Sequence, residues 1–243
     1  MKKATPVDVR TRYRVVGHTL VISLGGRRRV LSSAPQGGGY RAASYILNHQ
    51  VEASPRTNSP NPECLADPAR YMRKLASRLG IYSETVGLMT AVPITQLVTA
   101  RVSAGRLWLE CFATVGITNA VRAGEWPLRR SYRNRRAEPG TINLILITNG
   151  NLSNAAMVTA VQVATETKTG VLHDHAVQSC TGRSWATGTG TDAVVIACRW
   201  RGQGPWHPYS GTHTVLGALV GRAVTRCVSR GLAKAKKCRD RVR

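Results

Sequence analysis

A loop of alternating glycines and threonines carries the residues best suited to catalysis. It reads Ala186-Thr187-Gly188-Thr189-Gly190-Thr191-Asp192 and precedes an apolar stretch that predicts a β-strand. Its backbone N–H groups and hydroxyls can hold an anion or the oxyanion of a tetrahedral intermediate. It is not a P-loop, because it lacks Gly-Lys-Ser/Thr and a strand follows where a P-loop requires a helix.

Two other positions combine polar side chains with predicted regular structure. Thr212 and His213 stand at the predicted start of the last helix, where an imidazole can act as a general base. A lone histidine there more often has a structural role. Thr141 and Asn143 stand on a predicted buried strand, and a buried carboxamide needs a partner, either a ligand or a backbone carbonyl.

The loop Ser32–Tyr40 contains Gly37, Gly38 and Gly39 and follows a strand-like region. Residues 41–48 after it have a pattern that predicts a helix, and a glycine-rich loop before a helix can bind a negative or carbonyl oxygen. An ordinary turn is the alternative interpretation.

Metal and serine chemistry have no support in the sequence. The six cysteines are far apart without a C-x-x-C pair, and neither His-Glu-x-x-His nor Gly-x-Ser-x-Gly occurs. We therefore expect no metal site and no cofactor, and a water or threonine nucleophile. One alternative is a threonine nucleophile that is freed by chain cleavage between Gly140 and Thr141.

The chain is strongly basic, with 35 Lys and Arg residues against 12 Asp and Glu residues and a formal net charge of +23. The positive charges form local runs, including an Arg-rich insertion at 126–138 and a tail at 233–243, and few aromatic residues are interleaved with them. Single-strand binders usually stack bases on exposed aromatic rings, so the pattern argues against nucleic acid and favours a solvated surface.

The hydrophobic pattern predicts an α/β protein, a single mixed-sheet domain over 1–243 with helices packed on its faces and a core at about 12–232. Apolar runs at 12–33 predict strands joined by tight turns at Gly17 and at Gly25-Gly26. The remaining predictions are strands at 86–91, 97–102, 107–115, 141–148 and 193–198, and helices at 68–79, 154–167 and 213–234. The 154–167 helix is apolar nearly all round, which predicts burial on most sides. No stretch approaches ~18 apolar residues, so we expect no membrane contact and a cytoplasmic protein.

Eight segments of the chain, taken together, resemble the adenosylcobinamide amidohydrolases of corrinoid salvage. They follow one another between residues 30 and 230: 33–39, 48–49, 86–91, 114–120, 139–143, 164–169, 187–192 and 211–214. The resemblance implies an enzyme that cuts the amide joining aminopropanol to the corrin ring of adenosylcobinamide and leaves adenosylcobyric acid. The cobalt then belongs to the substrate, and the partner is a corrinoid.

Within that reaction, His213 or Asp192 is the expected general base, and Glu166 with Lys168 is the expected polar support pair. Substrate contacts are expected from Gly37, Gly38, Gly39, His49, Asn119, Thr141, Asn143, Thr189, Thr191 and Thr212. A corrinoid-binding or regulatory protein without turnover is the alternative function. The oligomeric state stays open.

Overall fold

The computed structural model describes residues 11–51, 64, 66–126, 140–182 and 184–242. In chain order the elements are β1 (Arg12–Val16), β2 (Thr19–Ser32), β3 (Gly39–Gln50), α1 (Pro68–Arg78), β4 (Thr85–Thr90), β5 (Val98–Ala104), β6 (Leu107–Val115), β7 (Ala120–Val121), β8 (Ile142–Thr148), β9 (Asn151–Leu152), α2 (Asn154–Asp174), β10 (Gly188–Thr189), β11 (Ala193–Cys198), β12 (Trp206–His207) and α3 (Val215–Val242). The α/β class with a mixed sheet is confirmed.

The main sheet has the strand order β4-β3-β2-β11-β8-β6-β5, with β1 paired to β2. Strands β8 and β11 are parallel neighbours, and α2 lies in the connection between them. Strands β3 and β4 are also parallel, whereas β2 runs antiparallel to both β3 and β11. Parallel neighbours begin at the same edge of a sheet, which brings the residues before β8 and β11 together.

Strand β2 bends where its register with β3 shifts, between Ser23 and Arg28. Gly25 and Gly26 lie in this bulge with φ of +68° and +123°, a backbone conformation that favours glycine. The predicted tight turn at these two glycines is wrong, because β2 continues through them as one bent strand. Its first half pairs with β1, and its second half pairs with β11.

The bend folds β2, β3 and β4 over one face of β6, β8 and β11, which places Ile46 in the same buried cluster as Ile145. The opposite face of β5, β6, β8 and β11 packs against α2 and α3. Val21 of β2 packs with Met72 of α1 on the outer side of the folded strands. The result is four layers, and every residue of β8 is buried because both of its faces are covered.

The helix boundaries follow capping residues. Asp67 accepts a hydrogen bond from Arg70 N at 2.8 Å, and Pro68 is the first helical residue of α1, as predicted. Ser153 caps α2, which continues to Asp174, beyond its predicted end. The expected burial of α2 on most sides is wrong, because Val158 is 60% exposed. Only one side of α2 contacts the sheet and α3, so alanine and valine also occupy its outer side.

The predicted helix over 41–48 is wrong, because these residues belong to β3. Hydrogen bonds to β2 on one side and to β4 on the other favour the extended backbone more than local propensity favours a helix. The last helix runs past its predicted end to Val242 and includes most of the basic tail. Residues 127–139, which contain most of the Arg-rich insertion, lie outside the described residues. That the chain forms a single domain stays a prediction.

Candidate active site

Several predicted site residues meet at the edge of the sheet where β8 and β11 begin. Asn143 of β8 lies opposite Ala193 of β11, so Thr141 and Asp192 directly precede neighbouring strands. Lys168 of α2 reaches this edge and forms an ion pair with Asp192. Their side chains are only 7% and 12% exposed, so the ion pair is largely withdrawn from water.

The carboxylate of Asp192 accepts four hydrogen bonds. Oδ2 accepts from Lys168 Nζ and from Thr189 N at 3.0 Å. Oδ1 accepts from Ile142 N at 2.8 Å and from Thr189 Oγ1 at 2.5 Å. Asp192 therefore holds α2, the Gly188–Asp192 loop and the start of β8 together. To accept a proton it would have to release a donor, so this geometry suits positioning better than general-base catalysis.

Buried amides connect the site to three other strands. Asn143 Nδ2 donates to Asn48 Oδ1 and to Met89 O, both at 2.9 Å. Asn48 Nδ2 in turn donates to Thr114 Oγ1 at 3.1 Å. Both hydrogens of the Asn143 amide thus bond within the protein and connect β8 to β3 and β4. One of the two acceptors is a backbone carbonyl, as the alternative to a ligand predicted.

The peptide between Gly140 and Thr141 lies inside this polar cluster. Thr141 is 3% exposed, and its Oγ1 donates to Thr191 O at 2.9 Å. Thr191 Oγ1 faces Gly140 O at 3.5 Å. A Cβ at Gly140 would lie 2.7 Å from both Thr118 Oγ1 and Asn119 Oδ1, so only glycine fits. Within the described residues, Asn119 Oδ1 is buried and has no hydrogen-bond partner.

A carboxylate outside the cluster, that of Glu125, joins the segment after β7 to residues 179–184. Strands β7 and β10 pair with Ala120 opposite Thr189, which joins the segment after β6 to the loop that contains Asp192. Glu125 accepts hydrogen bonds from three hydroxyls, those of Ser179, Thr181 and Ser184. These bonds, with those of Ser179 and Ser184 foremost, lower the pKa of Glu125 to about 2.

Glu166 and His49 lie apart from the cluster. Glu166 is exposed and accepts from Gln162 Nε2 at 2.8 Å, so the predicted support pair with Lys168 does not form. Helix residues two apart point to different sides, which explains the separation. His49 contacts Thr19 Oγ1 and Tyr71 OH, on the side of β3 opposite to Asn48.

The three loop glycines serve local packing. The loop begins at the same edge, where Val194 N donates to Ser33 Oγ at 3.0 Å. A Cβ at Gly37 would lie 2.8 Å from Thr85 O, and one at Gly38 would lie 2.7 Å from Ala34 O. Gly39 has a φ of +80° and opens β3 rather than a helix.

Thr212 and His213 lie at the opposite edge of the sheet. Ser210 Oγ donates to Ala156 O in the first turn of α2 at 2.6 Å. Lys168 is much farther along the same helix, about 18 Å away at a rise of roughly 1.5 Å per residue. Both Thr212 and His213 are exposed, and α3 begins after them, at Val215. Asp192 and His213, the two residues expected as the general base, therefore lie far apart.

Asn48, Thr114 and Thr118 are site residues that lie in the segments of resemblance but were not among the candidate site residues of the sequence analysis. Asn48 and Thr114 are buried between the two layers of strands, and Thr118 lines the Gly140 backbone. Two-residue alternation along β3 was the available signal for Asn48, but a helical prediction for 41–48 concealed it. Thr114 and Thr118 needed the pairing of β6 with β8, which local patterns do not contain.

Two findings concern metals and membranes. In the part of the chain that the structure describes, no group of three or more His, Cys, Asp or Glu side chains could hold a metal ion. None of the helices described combines the length and apolar character needed to cross a membrane.

Comparison with known proteins gives a family match over nearly the whole chain. The sequence model of the adenosylcobinamide amidohydrolase family matches residues 4–240. An adenosylcobinamide amidohydrolase of Methanosarcina mazei is 31% identical over 228 residues, which cover 90% of this chain and 96% of the relative. An uncharacterized protein of Methanocaldococcus jannaschii is 29% identical over 234 residues, with 90% and 87% covered.

Solved structures with a related arrangement are distant. A Pyrococcus horikoshii protein aligns over 92% of this chain and 82% of its own, with 11% identity and a TM-score of 0.44. A β-aminopeptidase of Burkholderia aligns over 91% and 82%, with 14% identity and a TM-score of 0.42. Scores below 0.5 carry no information about the mechanism of this chain.

Proposed function

Because the chain belongs to the adenosylcobinamide amidohydrolase family, a family of amide hydrolases, we propose that it hydrolyses the amide joining aminopropanol to the corrin ring of adenosylcobinamide. Water adds across this C–N bond, so the products are adenosylcobyric acid and free aminopropanol. The cobalt and its upper ligand enter and leave as parts of the substrate. The proposed setting is corrinoid salvage in the cytoplasm.

The family match over residues 4–240 carries this proposal, and the geometry supports it. Segments 48–49, 114–120, 139–143, 164–169 and 187–192 are distant in sequence, yet each supplies a side chain to the cluster at the start of β8 and β11. Convergence of separate segments on one buried polar site is typical of an active site rather than of a packing core.

An unactivated amide needs a nucleophile, donors for the oxyanion and a proton for the leaving amine. We assign donation to the oxyanion to the Thr187–Thr191 loop, in which Thr191 Oγ1 lies 3.5 Å from Gly140 O. Asn119 is the proposed contact for a corrin carboxamide, since its buried oxygen has no partner among the described residues. Lys168 and Asp192 act through position, by holding this loop against β8.

Turnover of adenosylcobinamide by the purified chain tests the proposal. Liquid chromatography with mass detection should show adenosylcobyric acid and aminopropanol in equal amounts. Cobyric acid, which lacks the aminopropanol amide, serves as the control corrinoid and should stay unchanged. Binding of adenosylcobinamide without release of aminopropanol would refute the proposal and favour a corrinoid-binding protein.

An Asn119→Ala variant tests the substrate contact. Loss of a partner for one corrin carboxamide should raise KM for adenosylcobinamide more than it lowers kcat, by roughly tenfold for one hydrogen bond. Gln162→Ala is the matched control, because Gln162 is an exposed amide on α2 that bonds only Glu166 in the described structure. Unchanged KM in Asn119→Ala would contradict this role.

A further inference from the structure

The peptide bond between Gly140 and Thr141 lies among buried polar groups of the kinds that peptide cleavage requires. Thr141 is 3% exposed, directly precedes the central strand β8 and follows a glycine at which a Cβ would clash. The polar groups around it therefore call for a chemical explanation.

Thr141 is held in place by the peptide that follows it, between Thr141 and Ile142. Thr141 O accepts from Gly116 N at 2.9 Å, and the next amide, Ile142 N, donates to Asp192 at 2.8 Å. When the Oγ1 of a threonine bonds to the preceding carbonyl carbon, the carbonyl C, N, Cα, Cβ and Oγ1 form a five-membered ring. An attack by Thr141 Oγ1 on the Gly140 carbonyl is thus intramolecular, and a fixed backbone favours it by orientation.

Two side chains lie close enough to the Gly140 carbonyl to donate to the resulting oxyanion. Thr191 Oγ1 faces Gly140 O at 3.5 Å. The Asn119 carboxamide lies against the Gly140 backbone, with a buried oxygen that lacks a partner in the described structure. Rotation of this carboxamide by half a turn presents its NH₂ group in the same space, because its nitrogen and oxygen have nearly the same shape. Two side chains then stabilise a negative oxygen on Gly140, and the kcat of Asn119→Ala is therefore counted per cleaved chain.

We propose that the chain cleaves itself between Gly140 and Thr141 and that Thr141 then serves as the N-terminal nucleophile of the hydrolase. In the first step, the Thr141 Oγ1–C bond to Gly140 forms, the Gly140–Thr141 C–N bond breaks, and the hydroxyl proton passes to the Thr141 nitrogen. Water then hydrolyses the resulting ester. The products are a Gly140 carboxylate and a Thr141 that carries a free α-amine and a free hydroxyl, and water is the only co-reactant.

The second half of the proposal rests on the proposed function. A free α-amine has a pKa of roughly 7.7–8.0 and can take the proton of its own hydroxyl near neutral pH. Thr141 Oγ1 would then attack the substrate amide, release aminopropanol and form a corrinoid ester that water hydrolyses. This supplies a base at the cluster, where Asp192 has four donors and from which His213 is distant.

The sheet keeps the two products of cleavage together. Strands β8 and β11 come from residues 141–243, and they lie side by side between β6 and β2, which come from residues 1–140. Both outer pairings, β6 with β8 and β2 with β11, join one product to the other. Cleavage should therefore yield one folded particle that contains two polypeptides.

Mass spectrometry of the purified chain under denaturing conditions tests the cleavage. We expect polypeptides 1–140 and 141–243, whose masses add up to the chain plus one water, and a new N-terminus that reads Thr-Ile-Asn. Native size-exclusion chromatography should show them in one peak. Thr141→Val, which removes the hydroxyl at nearly constant shape, should stay uncleaved, whereas Thr141→Ser should cleave. Thr159→Ala, at a half-buried threonine of α2 whose hydroxyl donates to Ala155 O, should cleave as the wild type does.

The outcomes separate this proposal from the proposed function. An intact wild-type chain that releases aminopropanol overturns self-cleavage and leaves the function standing. A cleaved chain that releases none refutes the function and leaves self-cleavage standing. Cleavage of Thr141→Val at the wild-type rate identifies a contaminating protease and overturns the proposal. Should Thr141→Val fail to fold, wild-type chain translated in a purified protease-free system decides between the same outcomes.

Discussion

Removing the charge of Asp192 should destabilise the fold as well as the enzyme. In Asp192→Asn, the remaining oxygen can still accept from Ile142 N and Thr189 Oγ1, but the new NH₂ group faces Lys168 Nζ and Thr189 N, which are themselves donors. The ammonium of Lys168, 7% exposed, then lacks its carboxylate. Breaking a buried ion pair in this way costs about 3–5 kcal/mol of unfolding free energy.

A double-mutant cycle separates the ion pair from the other bonds of Asp192. Lys168→Met leaves the carboxylate with three of its donors and should cost less, about 1–3 kcal/mol. In the double variant no unpaired charge is buried, so its cost should be smaller than the sum of the single costs by at least about 2 kcal/mol. Urea unfolding at pH 7, followed by circular dichroism, measures the free energy of unfolding of all four proteins. Asp174→Asn, at an exposed position of α2, the helix that contains Lys168, is the control.

Turnover adds a second measurement on the same variants. If the ion pair positions the loop and β8, both single variants should lose kcat by roughly 10² or more, because small displacements of catalytic groups are costly. The cycle would refute this account of the site if the single costs were each below about 1 kcal/mol and simply additive. Loss of kcat in Asp192→Asn with none in Lys168→Met would instead make the carboxylate itself the base.

Other perturbations test the hydrogen bonds of Glu125, the expectation that no metal is needed, and the residues distant from the cluster. Because the pKa of Glu125 falls from 4.5 to about 2 on folding, its carboxylate stabilises the fold above pH 4.5, and this contribution is lost as the pH falls towards 2. The wild type should therefore lose melting temperature more steeply than Glu125→Gln over that interval. Dialysis against a chelator should leave the rate of hydrolysis unchanged, and restoration by zinc of a lost rate would contradict this. His213→Ala should keep kcat within about twofold, since His213 is exposed at the other edge; a 100-fold loss would show a second site there. Neutralising Arg226 and Arg230 should likewise leave turnover nearly intact, because exposed charges act weakly at a distance; a large loss with normal circular dichroism would make this face functional.

Elements with a strong local signal were predictable. The run Thr141–Thr148 consists mostly of apolar residues, and it forms a strand that is covered on both faces. Asp67 and Pro68 form a capping pair, and α1 begins there. The helix prediction for residues 41–48 failed because Ala42 and Ala43 suit a helix, whereas the conformation of this segment depends on pairing with β2 and β4.

The site was predictable as a set of motifs, but not as a set of contacts. The Gly188–Asp192 loop and Lys168 were selected for their residue types, yet the ion pair depends on how α2 lies against the start of β11. Asn48 joins the cluster because β2 bends and folds β3 over β8. Contacts of this kind are made between layers, and a periodicity within one segment contains no information about them.

Strand β2 connects the two layers of strands, the layer with β3 and β4 and the layer with β6, β8 and β11, which together form a β-sandwich. Its main-chain hydrogen bonds hold β3 along both arms and hold β11 along the second arm, on either side of Gly25 and Gly26. Melting of either layer therefore breaks main-chain hydrogen bonds that β2 shares with the other layer. We expect the two layers to unfold together, and the alignment of Asn48 with Asn143 across them requires both to be folded.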